Sequence, residues 1–357
     1  LFFSSKKSAF LRAIGRLKQK VDRLDTRTMM IHIAKILASL GDAHTSLYWP
    51  FSARLPFQCY WFEDGLYITA TTADYAKMRH AKLQSIDGLP IDRVIQKLAD
   101  IIPHENTAFL KSQLPKTLVS AEILYSLEIT GSMEHIRVGI QHAGKAYEMP
   151  VNILPELSPN DLIQESGALP LYRQHPGEYY WKTRICDDTI IYANYSKCKD
   201  MLALPVRDFC KALKKDMAAQ KTQALMLDLR NNGGGDSTLL EPFIQWLGKN
   251  PKPVKVYAVI GRDTFSSALL NVYSLKNQAN AIIIGEPTGG KPNSYGEVQY
   301  FRLKNSGLII RYSTVYYQLI EDDKTESLFP DIELKPTIVD FIEKRDPCAA
   351  YVCNLSV

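Results

Sequence analysis

The sequence contains no run of apolar residues approaching the roughly 18 to 20 that a membrane-spanning helix needs. Its longest apolar stretches, such as 256–260 and 281–284, have the length of strands, so no membrane span is expected. A block of like charge is missing too. The chain sets 43 Lys and Arg against 38 Asp and Glu, and the resulting +5 is spread along 357 residues, too even a distribution to predict nucleic-acid binding. Cysteine is scarce: six residues, with no Cys-x-x-Cys pair and no metal-finger spacing. Buried structural thiols are the plain expectation, with a Cys348–Cys353 bridge the one pairing left open. Also absent are the Walker phosphate loop, the Gly-x-Gly-x-x-Gly dinucleotide loop, the His-Glu-x-x-His zinc helix and the Gly-x-Ser-x-Gly elbow. Neither a metal nor a cofactor is expected.

What is present is an ordinary folded composition, 46% hydrophobic and 23% charged, in a chain long enough for two or three domains. Phe10, Ile14, Leu17, Val21 and Leu24 recur at helical spacing. After Asp25, a candidate cap, Met29, Ile33, Ile36, Leu37 and Leu40 form a second stripe that Gly41 stops. From about 51 to 154 the texture changes to short strand-like runs at 66–69, 83–86, 136–140 and 147–153, an Asp87-Gly88 turn and one helix near 91–101. Pro155, Pro159 and Gly167 mark a linker. Beyond Trp181 strands and helices alternate: strands at 189–195, 224–229, 254–260 and 281–284, helices at 206–217, 238–247 and 266–276. That is an α/β pattern, and its nearly continuous Val, Ile and Leu strands imply a sheet covered on both faces. Ligands gather where loops leave the strand ends of such sheets.

Three of those loops could carry chemistry. Asp228-Leu-Arg-Asn-Asn-Gly-Gly-Gly-Asp236 has glycines that free backbone N–H groups to face an anion. In Gly261-Arg-Asp-Thr-Phe-Ser-Ser-Ala268 a strand ends and a helix begins at two serines, where the helix dipole and the following N–H can stabilise an oxyanion. Gly285-Glu-Pro-Thr-Gly-Gly-Lys291 can deliver a lysine whose burial would make it a base. His44, between Asp42 and Thr45 in the loop after Gly41, is the histidine with polar neighbours able to fix a tautomer. Singly, each has a plainer reading: a turn, a helix cap, a solvated amine, a loop histidine.

Together and in this order, Gly41-Asp-Ala-His-Thr, Asp228-Leu-Arg-Asn-Asn-Gly-Gly, Thr-Phe-Ser266-Ser-Ala and Gly-Glu-Pro-Thr-Gly-Gly-Lys291 resemble the C-terminal processing, or tail-specific, serine protease family. That family includes tricorn protease cores and the modules of interphotoreceptor retinoid-binding protein. The resemblance implies an α/β fold with a ClpP/crotonase-like core, an N-terminal helical cap and a PDZ-like β-rich inserted domain. The corresponding division is a helical region with the His motif at 1–50, the insert at 51–155, a linker at 156–180 and the protease core at 181–357. Leu83-Gln-Ser-Ile-Asp-Gly-Leu-Pro-Ile91 carries the PDZ likeness, without a Gly-Leu-Gly-Phe carboxylate-binding loop.

By the same resemblance Ser266 is the nucleophile of a serine-type endopeptidase acting through an acyl-enzyme. The N–H groups of Ser267 and of Gly233 or Gly234 form the oxyanion hole. Two bases stand open. The tricorn-like solution uses His44, oriented by Glu326 just before Ser327-Leu-Phe-Pro-Asp331. The Ser-Lys solution uses Lys291, although position 295, where that branch has Gln, is Tyr. Protein or peptide substrates and an extracytoplasmic location are the corresponding expectations; the oligomeric state is left open. The competing readings are a non-catalytic binder of lipophilic ligands or peptides on the same fold, and a crotonase-like acyl-CoA enzyme.

Overall fold

The computed structural model describes residues 7–249 and 254–355. The chain packs as two compact units: residues 1–166 with Ser294–Tyr317, and Gly167–Asn293 with Gln318–Val357. Residues 294–317, expected in the C-terminal core, pack with the first unit.

The first unit opens with the helices Lys7–Lys18 and Thr26–Ala38. The first is shorter than its stripe predicts. It ends at Lys18, Val21 falls in a separate turn of 3-10 helix, and none of its own residues is fully buried. The second begins as expected, with the Asp25 side chain accepting from the Thr28 N–H at 3.0 Å, and Gly41 adopts the left-handed φ of 65° that turns the chain away. Next comes an antiparallel sheet of Phe57–Phe62, Gly65–Thr71, Lys82–Ile86, His135–His142 and Lys145–Asn152, in that order. Asp87 and Gly88, at φ 46° and 76°, make its predicted turn. The helix at Ile91–Ala99 is present, and the helices Thr107–Leu118 and Ala121–Ser126, which the sequence reading did not anticipate, join it. A smaller sheet pairs Ser46–Leu47 with Ile309–Gln318, which in turn pairs with Asn293–Arg302.

The second unit is built on a six-stranded sheet, ordered Ile332–Glu333, Ile282–Gly285, Lys255–Ile260, Ala224–Asp228, Ile190–Tyr195, Tyr180–Ile185. All pairs are parallel except the last, which is antiparallel. Side-chain alternation divides its core cleanly. Ile191, Ala193, Leu225, Leu227, Ala258 and Ile283 pack against Phe209, Leu213, Ile244 and Val272 of the crossover helices Val206–Met217, Glu241–Lys249 and Ser267–Ala279. Ile190, Tyr192, Met226, Tyr257 and Val259 face Cys348 and Val352 of the terminal helix Pro347–Asn354. Both faces are thus covered, which is why these strands can be apolar throughout. Cys353 forms a disulfide with Cys186, in the turn before Ile190–Tyr195, rather than with Cys348. Two residues five apart on one helix point in different directions, and Cys348 stays a buried free thiol.

Candidate active site

Three loops leave the carboxyl ends of neighbouring parallel strands in the second unit, and one buried residue ties two of them together. Asn232, fully buried, donates through Nδ2 to the Tyr195 carbonyl at 2.8 Å and accepts the Gly234 N–H on Oδ1 at 2.9 Å. Its own carbonyl accepts the Phe265 N–H at 3.0 Å. Thr264 adds a second tie, donating from Oγ1 to the Leu229 carbonyl at 2.8 Å. The glycine loop after Ala224–Asp228 is thereby fixed against the turn that carries Ser266.

Ser266 stands at the N-terminus of the 13-residue helix Ser267–Ala279, at φ 54° and ψ −128°, and its side chain does not cap that helix. An L-residue held at such angles costs about 1–3 kcal/mol and persists only where its surroundings enforce it. The geometry is that of a sharp strand-to-helix turn, which presents a hydroxyl outward at the positive end of a helix dipole. Ser267, by contrast, is buried and donates from Oγ to the Gly235 carbonyl at 2.6 Å. Gly234, at φ 106°, lies so near that a Cβ built on it would stand 2.8 Å from Ser266 Cβ and 3.1 Å from the Ser267 nitrogen. Of the three expected oxyanion donors, the Gly234 N–H is taken by Asn232. The N–H groups of Gly233 and Ser267 have no hydrogen bond among the described residues.

The loop itself is braced from beneath. Arg230 donates in bidentate fashion to Asp346, Nη1 to Oδ1 at 3.0 Å and Nη2 to Oδ2 at 2.9 Å, and from Nε to Asp228. Its guanidinium lies over the Tyr172 ring, and Tyr192 donates to the second Asp228 oxygen at 2.9 Å. Burial pushes the Asp228 carboxyl up, against the pull of Arg230. An Arg262–Glu286 ion pair of 2.6 Å, also buried, joins the Ser266 turn to the Gly285–Lys291 loop.

Lys291 is half-buried at the end of that third loop. The preceding Gly290 donates its N–H to the Thr264 carbonyl at 3.1 Å, two residues before the serine. The Asp322 carboxyl is held below its usual range by the Lys324 N–H and the Thr325 hydroxyl, with a smaller contribution from the Lys291 charge. Glu326 is exposed, in a loop clipped to the same region by a reciprocal pair, Leu328 N–H to Thr288 Oγ1 at 2.9 Å and Thr288 N–H to the Leu328 carbonyl at 3.2 Å. Ser266, Ser267, Gly233, Gly234, Lys291 and Glu326 all belong to this unit.

His44 belongs to the first unit and is buried there. The loop that carries it is organised by Asp42, whose Oδ1 accepts the His44 N–H at 3.0 Å and whose Oδ2 accepts from the Thr45 and Ser313 hydroxyls. Arg311 clamps it from the other side, donating from Nε to the His44 carbonyl at 3.0 Å and from Nη2 to that of Ala43 at 3.2 Å. Burial lowers the imidazole pKa to about 4. Asp42, with Oδ1 4.0 Å from Nδ1, works against that shift, Arg311 reinforces it, and a backbone hydrogen bond with Tyr295 opposes it. A neutral imidazole with a lone pair to offer results at physiological pH. The sequence reading had Asp42 as a neighbour of His44 but did not reach Arg311, Ser313 or Asp346, whose partners are far away along the chain; nor did it distinguish Asn232 from Asn231.

Residues 241–334 match the family model of peptidase family S41. Among solved structures, mature CPAF complexed with lactacystin is similar over 97% of this chain and 91% of that one, with a TM-score of 0.68 and 16% identity. Mature CPAF alone gives the same TM-score and identity over 97% and 90%. A putative peptidase from Parabacteroides merdae ATCC 43184 gives 0.51 at 15% identity over 100% and 91%. At these identities the likeness is one of fold, and no curated protein matches the sequence. The family match falls on the stretch that carries Ser266, Lys291 and Glu326, in a chain whose motifs already resemble the C-terminal processing proteases. Residues 241–334 are thus similar to peptidase family S41, and the chain as a whole shares its fold with CPAF.

Proposed function

We propose that this protein is an endopeptidase that hydrolyses protein or peptide substrates through an acyl-enzyme on Ser266. The observation that carries this reading is the Ser266 backbone, held at φ 54° and ψ −128° at a helix N-terminus with the unengaged N–H groups of Ser267 and Gly233 available to a developing oxyanion. Gly233 is the better candidate than Gly234 because Asn232 occupies the Gly234 N–H. His44 is the base: neutral by burial, it accepts the Ser266 proton as Oγ attacks the carbonyl carbon. Glu326 stabilises the imidazolium that forms, and the proton passes to the leaving amine. Water then attacks the acyl-enzyme with His44 again as base.

A second reading takes Lys291 as the base. It is supported by the hydrogen bond between the Gly290 N–H and the Thr264 carbonyl, which ties the lysine's loop to the serine turn. Here Lys291 would have to be neutral in the free enzyme.

The finer fold assignment is likewise our reading. The parallel sheet with its crossovers supports a ClpP/crotonase-like core in 181–357, and the five antiparallel strands support a PDZ-like insert in 51–155, between the helical region 1–50 and the linker 156–180. The Cys186–Cys353 bridge supports an extracytoplasmic location.

The test is an active-serine fluorophosphonate probe on wild type, Ser266→Ala, His44→Ala and Lys291→Ala, with the adduct read by intact mass. Labelling that is lost in Ser266→Ala and His44→Ala but kept in Lys291→Ala supports the first reading. Loss in Lys291→Ala with labelling kept in His44→Ala supports the second. A folded wild type that never labels between pH 4 and 9 would turn the assignment towards a ligand-binding protein.

A further inference from the structure

The His44 loop holds more ligating chemistry than a general base requires. Asp42, His44 and Glu105 each direct one donor atom into a common space, with those atoms all within 4.8 Å of one another. Asp42 and His44 are buried and Glu105 is half-buried. We propose that these three side chains form a binding site for a divalent transition ion of the zinc type, and that its occupation takes the His44 lone pair and silences the peptidase. The second half rests on His44 being the base; the first does not.

One imidazole nitrogen and two carboxylate oxygens, with a coordination position left for water, is a donor set of the kind zinc accepts. Ligands of a tetrahedral zinc ion stand about 3.3 Å apart for bonds near 2.0–2.1 Å, so the three donors must draw in from the observed spread. Side-chain rotation at His44 and Glu105 is the available means. Asp42 is fixed in advance, because the hydroxyls of Thr45 and Ser313 and the His44 N–H orient its carboxylate. Such outer hydrogen bonds characteristically hold a metal-binding carboxylate in place. Glu105 is tethered to the same loop, its Oε1 accepting the Ala43 N–H at 3.4 Å.

Electrostatics point the same way. Asp42 is only 3% exposed, and the donors on it are neutral hydroxyls and an amide. The neighbouring cation, Arg311, directs its Nε and Nη2 at the carbonyls of His44 and Ala43 instead. None of these donors brings a full positive charge to the Asp42 carboxylate, and a divalent ion would supply it. Binding needs no redox partner: the ion accepts the imidazole lone pair, and a proton is released only from ligands that carry one.

Tag-free wild type and Glu105→Gln would be titrated with zinc chloride by calorimetry, with bound metal counted after gel filtration. Cobalt(II) substitution would be followed by its visible absorption. One tight equivalent in wild type, weakened at least tenfold in Glu105→Gln, supports the site. So does a cobalt spectrum present in wild type and absent in a Glu105→Gln variant whose circular dichroism is unchanged. No equivalent bound by wild type, or equal affinity in both proteins, overturns it. Fluorophosphonate labelling is then measured against zinc concentration. Block at stoichiometric zinc, reversed by a chelator and shifted to at least tenfold higher zinc in Glu105→Gln, supports the inhibitory role. Undiminished labelling of zinc-loaded wild type overturns that role and, with it, His44 as the base, while the binding result stands by itself.

Discussion

The Cα of Gly234 faces the Cβ of Ser266 so closely that a methyl group added at 234 would stand 2.8 Å from it, with the Phe265 carbonyl and the Ser267 nitrogen each at 3.1 Å. Backbone atoms cannot yield as a flexible side-chain tip does, and at φ 106° an L-residue is strained as well. Gly234→Ala is therefore expected to displace the serine turn, lowering stability by about 1–3 kcal/mol, read as a lower thermal midpoint, and reducing the fluorophosphonate labelling rate by about 10²-fold or more. Gly233→Ala is the control. Nothing lies within 4 Å of its added Cβ, so the fold should hold; a midpoint as low as that of Gly234→Ala would contradict the contact argument.

Ser266 offers a test of stored strain that is independent of catalysis. Both Ser266→Ala and Ser266→Gly remove the proposed nucleophile and should abolish labelling. Only glycine relieves the cost of φ 54°. Denaturant titration should find Ser266→Gly more stable than Ser266→Ala by about 1 kcal/mol. Equal stabilities would mean that the turn is relaxed and that its angles carry no functional signal.

The parts of this architecture that could be read along the chain are those set by local pattern. The helix at Val206–Met217 follows Pro205 directly, and the strands ending at Asp228, Ile260 and Gly285 are apolar runs of the right length. The Asp25 cap is likewise a short-range device. What escaped was settled by distant partners. Cys353 finds Cys186 across 167 residues, Arg230 finds Asp346 across 116, and Ala43 finds Glu105 across 62. The helix Thr107–Leu118 was hidden by Pro115, which in a helical run reads as a stop. Residues 294–317 were hidden because a strand pair carries no sign of which sheet it will join. The serine, the glycine loop and the lysine could be found by motif, whereas Asn232, which spaces the first two, is a single buried amide that only packing reveals.

The pH profile separates the two candidate bases. His44 titrates near 4 rather than 6.5 because burial disfavours its charged form. With His44 as the base, the acid limb of kcat/KM should fall near pH 4 and activity should be flat through neutrality. Stability follows the same group. A histidine whose folded pKa is lowered contributes fully above its unfolded value, and the contribution is lost as pH falls from about 6.5 towards 4, where the unfolded chain takes up the proton first. His44→Gln should flatten that part of the stability curve. An activity that instead rises through pH 8 and beyond, in wild type and His44→Gln alike, would mark Lys291 as the base.

The brace under the glycine loop should matter to stability and to turnover together. Arg230 sits between Asp228 and Asp346, whose side chains are 1% and 6% exposed, so exchanging either carboxylate for a neutral group takes a charged partner from a buried guanidinium. Asp346→Asn keeps the shape but leaves Arg230 with Asp228 as its charged partner, and loss of the charge-assisted bidentate contact costs about 1.5–3 kcal/mol. Because Arg230 lies three residues before Gly233, the loosened loop should also misplace that proposed oxyanion donor, lowering kcat by about 10²-fold while KM changes little. Arg230→Lys should behave similarly, since a point charge cannot reproduce a bidentate fork. Urea titration paired with steady-state kinetics on any peptide the enzyme cleaves measures both effects. A variant that loses stability but keeps its kcat would place the brace in the fold alone and separate it from the oxyanion site.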